Sequence, residues 1–117
     1  MKEILTQILE TFCPDNVYLQ GTLNPDEAYP ADFITFFEVD SGFEAFYSNE
    51  SNRIDHYVNV IYYTSDPEHL ATVPMQILKA LWAAGFIPQN AGIDVISLAE
   101  THTGRAMEFL YPEIYSN

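Results

Sequence analysis

Arg53-Ile54-Asp55-His56-Tyr57-Val58-Asn59-Val60-Ile61-Tyr62-Tyr63-Thr64 runs straight into Ser65-Asp66-Pro67-Glu68, and the fold is decided here. The first part is rich in β-branched and aromatic residues, which suit a pleated, half-buried surface. Ile54 to Thr64 predicts one strand of ~36 Å at ~3.3 Å per residue, against a usual length of about five or six residues. Side chains alternate across a strand. Ile54, His56, Val58, Val60 and Tyr62 therefore share a face that reads as core. Asp55, Tyr57, Asn59, Ile61 and Tyr63 share a mixed, semi-exposed one.

The second part starts a helix. Ser65 and Glu68 stand at capping-box spacing, and Pro67 suits the first turn. Pro74 interrupts the pattern, because a proline deep in a helix costs ~3 kcal/mol or more. The expectation is a short turn from Pro67 to Leu70, then a fresh start capped by Thr72, with Pro74 in its first turn. Val73, Ile77, Leu78, Leu81 and Ala84 form the buried stripe, and Gly85 closes the helix. The main helix is then only ~18 Å long at ~1.5 Å per residue. It cannot cover the strand, so the strand's overhang must project or pair with something else.

Outward from this unit, Lys2 to Phe12 carries Ile4, Leu5, Ile8, Leu9 and Phe12 at helical spacing, and Pro14 ends the helix. Val17 to Leu19 is a short strand. Leu23 to Asp32 is a loop bracketed by Pro25 and Pro30, either a plain surface loop or a contact loop. Phe33 to Val39 is a nearly continuous apolar strand, so both of its faces are expected to be partly covered. Asp40-Ser41-Gly42 reads as a turn, Phe43 to Tyr47 as another strand, and Ser48 to Asn52 as a polar loop. Ile93 to Ala99 and Arg105 to Tyr111 form a final hairpin through Glu100-Thr101-His102-Thr103-Gly104, with Gly104 at a positive φ and Pro112 ending the strand. The order predicts a single α+β domain over residues 1–117, with an antiparallel or mixed sheet of about four to six strands and two helices on one face.

Composition narrows the function. Seventeen acids against four bases (Lys2, Arg53, Lys79 and Arg105) leave a net charge of −13. Such a chain repels phosphate backbones and anionic membranes, so neither sequence-specific nucleic-acid binding nor membrane binding is expected. The acids read either as a solvated surface or as a wall past which DNA slides. Eight Tyr, eight Phe and Trp82 exceed what a small core can hold, which points some of them to an interface. Cys13 stands alone and reads as a small buried hydrophobe. No signal-like leader and no membrane-length apolar run occurs, so the chain reads as soluble and intracellular where it is made.

Catalytic and metal constellations are not expected. His56, His69 and His102 are scattered, and neither Glu100 with His102 nor Asp66, Glu68 and His69 match a ligand spacing. There is no GxSxG, P-loop or GxGxxG. The reading is a non-enzyme without cofactor or metal. Arg105 belongs either to a tight turn or to an ion pair across a subunit interface.

The layout resembles the tail terminator, or tail completion, proteins of long-tailed phages and prophages. The matching features are the N-terminal helix before an acidic loop, the aromatic strand Tyr57 to Thr64 running into Asp66-Pro67-Glu68, the helix ending Ala83-Ala84-Gly85-Phe86, and the hairpin Glu100 to Phe109. The likeness covers most of the chain in layout, with its specific residues in 54–110. It implies a homo-oligomeric ring, usually a hexamer. The ring would cap the tube of major tail tube protein and meet the head completion or connector protein. DNA would pass its lumen without specific binding. The protein would sit in the host cytoplasm during assembly and then in the virion tail. No catalytic residue carries over. The overlong strand, read as having unpaired length to offer as edge strands do, makes Ile54, His56 and Tyr57 candidate interface residues; Arg105 joins them as a candidate for an ion pair, and Tyr111 and Tyr115 as surplus aromatics. The other reading is a small acidic protein-binding module, of inhibitor or DNA-mimic type, that docks a basic partner.

Overall fold

The computed structural model describes residues 2–19, 31–44, 51–90, 92–96 and 102–116, with side chains described outside 39–44, 51–54, 94–96 and 113–116. Two helices, α1 (Lys2–Glu10) and α2 (Pro67–Ala83), accompany strands β1 (Val17–Leu19), β2 (Asp32–Glu44), β3 (Ser51–Thr64), β4 (Ile87–Pro88), β5 (Ile93–Ile96) and β6 (Thr103–Ser116). The sheet is mixed and six-stranded, in the order β1-β2-β3-β6-β4, with β5 also on β6. The β1–β2 pair is parallel and the others are antiparallel. This is the expected α+β class.

The helices share one face of the sheet. Ladder partners in adjacent strands point to the same side. Ile34, Tyr62 and Arg105 are in register, as are Phe36, Val60 and Met107, and Val58 with Phe109. Leu5 and Leu9 of α1 and Ile77, Leu78 and Leu81 of α2 pack on these residues with Phe86 to make the core. The alternation expected in β3 holds from Tyr57 to Tyr63, with Val58, Val60 and Tyr62 buried, and fails before it, where Asp55 is buried and His56 only half-buried. Ile4 departs from the expected apolar face of α1 and is exposed.

Several local expectations are corrected. First, α2 is one continuous helix through Pro74. The missing proline N–H leaves the Leu70 carbonyl without its i→i+4 partner, but Pro74 and the stripe that follows it, Ile77, Leu78 and Leu81, are buried, and that burial offsets the loss. Thr72 is no cap; its hydroxyl bonds back to the Glu68 carbonyl at 3.3 Å. Second, the N-cap is Asp66 rather than Ser65, its carboxylate accepting from the Glu68 N–H at 2.9 Å. Ser65 N–H is engaged by the Ala31 carbonyl instead. Third, residues 40–42 are no turn, because β2 runs on to Glu44 and absorbs one extra residue at a bulge between Glu38 and Asp40. Fourth, Pro112 does not end β6. Gln89 N–H bonds the Glu108 carbonyl, so the even-numbered backbone groups of β6 face away from β3. Pro112 shares that parity, and beyond Leu110 no described strand lies there, so its missing N–H breaks no described ladder bond.

The helix end follows the sequence. Gly85 adopts φ 101°, its N–H reaches the Trp82 carbonyl at 3.0 Å, and Phe86 N–H reaches Leu81 at 2.9 Å. That is a Schellman closure. Gly104 is not a turn residue; it lies inside β6 between Tyr63 and Val95. Glu100 and Thr101, residues 45–50 and most of the 23–32 loop fall outside the described residues.

The expected length mismatch is larger than anticipated. β3 has 14 residues, or ~46 Å at ~3.3 Å per residue. α2 has 17, or ~25 Å at ~1.5 Å per residue. The helical layer stops where Gly85 and Phe86 meet Tyr111, the ladder partner of His56. Beyond His56, β2, β3 and β6 continue as a three-stranded arm. β3 is not an edge strand, however: every residue from Arg53 to Thr64 is laddered on both sides, the bulge lying in β2, so the overhang pairs within its own chain.

Candidate functional site

A polar cluster joins the start of β2 to the start of α2. Asp32 and Thr64 are ladder partners. Thr64 Oγ1 donates to Asp32 Oδ1 at 2.6 Å, Tyr62 Oη to Oδ2 at 2.9 Å, and His69 Nδ1 lies 2.9 Å from Oδ2. His69 Nε2 stands 3.5 Å from Asp66 Oδ2. Burial alone would raise the Asp32 pKa. The hydrogen bonds from Thr64, Tyr62 and His69, with the His69 charge, outweigh it and lower the pKa below the usual aspartate value. Burial raises the Tyr62 phenol. Burial and then the Asp32 charge push Cys13 up to about 11, so the thiol stays protonated at neutral pH. A saturated carboxylate and a protonated thiol suit the cluster to fastening α2 onto the strands. Among the described residues no group of His, Cys, Asp and Glu has the geometry of a metal site.

The six expected interface residues do not form one patch. His56 and Tyr111 come together on the helix side at the foot of the arm, ring centroids 6.4 Å apart, with His56 Nδ1 2.8 Å from Glu38 Oε2. Tyr57 lies on the opposite face, in register with Leu110. Ile54 and Tyr115 lie within the arm strands, and their side chains are outside the described set. Arg105 sits at the far end of β6, in register with Tyr62 and Asp94, its side chain passing Gly92.

Two surfaces go beyond the sequence reading, which has the second only as a mixed, semi-exposed face of β3. One is the outward side of α2, where Met75, Lys79 and Trp82 are exposed, Trp82 at 59%. At 100° per residue these three fall within about one sixth of the helix circumference, opposite the buried Ile77 and Leu81. The other is the helix-free face of the sheet. Antiparallel sheets open to water normally alternate apolar-in with polar-out. Here the apolar outward positions are Phe37, Tyr57, Ile61, Tyr63, Ala106 and Leu110, all half-buried, with Ile87 and Ile93 exposed at the rim and Thr35 and Asp55 buried on the same face. Asn59 and Glu108, ladder partners, are the polar pair in the middle. At one end Phe33 is buried under Tyr63, centroids 4.8 Å apart, and His102, 5.6 Å. A sequence signal did exist for the first surface: no acid occurs between Glu68 and Asp94 in a chain holding seventeen.

No helix among the described residues is long and apolar enough to cross a membrane. No protein-family model matches the sequence, and no curated protein matches it.

Proposed function

We propose that the protein is a structural assembly protein of a long-tailed phage or prophage, whose copies close into a ring that caps the tail tube and joins it to the head connector. The observation that carries this reading is the arm. Strands of ~46 Å run nearly half their length past α2, and a sheet face that no described element covers is a surface suited to another chain. The apolar open face supports the same reading, because an antiparallel sheet with large apolar groups on both sides needs a partner. The layout from residue 54 to 110 adds the family likeness. The net charge of −13 suits a ring past which DNA moves without adhering. The acidic binding-module reading draws less support, since the described acids on the helix-free face are only Glu108 and the buried Asp55.

The test is co-expression with the tail tube protein of the element that encodes this chain. The expected result is short tubes of uniform length, with this chain found at one end by immunogold electron microscopy. Tubes of unaffected length, with no chain at their ends, would overturn the reading.

A further inference from the structure

We propose that the outward side of α2 in one copy docks on the helix-free sheet face of the next, with Lys79 set against Glu108. The proposal rests on the assembly reading above and names the contact it would use.

The two surfaces fit in kind. The helix surface presents Met75 and Trp82 around a single cation. The sheet surface presents Tyr57, Ile61 and Leu110 around the carboxylate of Glu108. Each sets one accessible charge of opposite sign among apolar side chains, Asp55 on the sheet side being buried, and such a pair sets register between partners. Neither charge has an ion-pair partner among the described residues.

Charge also selects the occupant. Copies carrying −13 each repel one another over most of their surface. The stretch from His69 to Ile93 holds no acid and one base, so it is the part of the chain that an acidic neighbour can approach. A second copy supplies the acidic neighbour and the apolar sheet at once. A patch-to-patch contact between two α2 surfaces would instead bring Lys79 against Lys79. The contact is therefore heterologous, with different surfaces on the two sides, and such contacts build rings or filaments rather than closed dimers. It gives each sheet its second helical layer, turning two layers into three.

Trp82 is the single tryptophan and reports on the contact directly. The experiment is sedimentation velocity of the full chain over a concentration series, read beside Trp82 emission, for the native protein, Lys79→Glu, Glu108→Lys and the double reversal. The expected result is self-association accompanied by a shift of emission to shorter wavelength. Each single reversal should weaken association about tenfold or more, and the double reversal should recover most of it. Far-UV circular dichroism checks that each variant is folded. Trp82→Ala, at an exposed site, is a second probe and should weaken association without loss of secondary structure. A chain monomeric at every concentration overturns the contact. So does an oligomer whose emission does not shift, one indifferent to the single reversals, or one that the double reversal leaves as weak as the worse single. An oligomer that forms by another surface leaves the tail-cap reading standing, because that reading is decided by tube capping.

Discussion

Thr64 Oγ1 donates a 2.6 Å hydrogen bond to Asp32 Oδ1 across the end of the β2–β3 ladder, and the same hydroxyl accepts the Asp66 N–H at 3.0 Å. One buried side chain thus holds the first residue of β2 and the cap of α2. We predict that Thr64→Val, which keeps the shape and removes the hydroxyl, lowers stability by ~1–3 kcal/mol, because it leaves polar groups short of a partner. Urea unfolding measures it. A midpoint equal to the native one would mean that the cluster fastens nothing.

The same cluster predicts a pH dependence. The Asp32 pKa is lowered in the folded state. Its contribution is therefore fully present above the unfolded aspartate value of ~3.9. It fades as pH falls through that value and then through the lower folded one. The stability difference between native protein and Asp32→Asn should be constant from neutral pH down to about pH 5 and shrink below it. A difference that grows on acidification would contradict the sign.

Leu81 lies in the core beneath the sheet, with no exposed surface. Leu81→Ala should cost ~2–5 kcal/mol through lost burial and the cavity left behind. Denaturant titration with an unchanged slope checks it. A loss under ~1 kcal/mol would mean that the site collapses around the smaller residue.

Gly85 holds φ 101°, yet an added Cβ would meet only Tyr111, at 3.5 Å. The penalty for a side chain there is backbone strain and not crowding. Gly85→Ala should destabilise by about 1 kcal/mol and Gly85→Asn by less, since asparagine tolerates the left-handed region better. Equal losses for the two would point to contact with Tyr111 instead.

Tyr57 is half-buried on the helix-free face, opposite Leu110. Tyr57→Glu should leave the monomer folded by circular dichroism and abolish the assembled species in sedimentation. An unchanged oligomer would exclude this part of the face from the contact.

Sequence alone decided the local grammar. Alternation put Val58, Val60 and Tyr62 inside. Helical spacing put Leu5, Leu9, Ile77 and Leu81 beside them, and Gly85 could serve only where a positive φ was needed. These are period and backbone effects, set within a few residues. The strand–helix length mismatch was legible for the same reason, since rise per residue is a constant of each element. Tertiary structure decided what depends on neighbours far along the chain. Pro74 stays helical because it is buried, and Pro112 stays in a strand because its nitrogen faces away from β3. Asp66 and not Ser65 is the cap because the helix starts at Pro67, which puts Asp66 at the position before it. The strand read as an edge is central because β2 and β6 flank it. The two apolar surfaces likewise exist only once the ladders set which side each residue faces, because a one-residue change of register would exchange them.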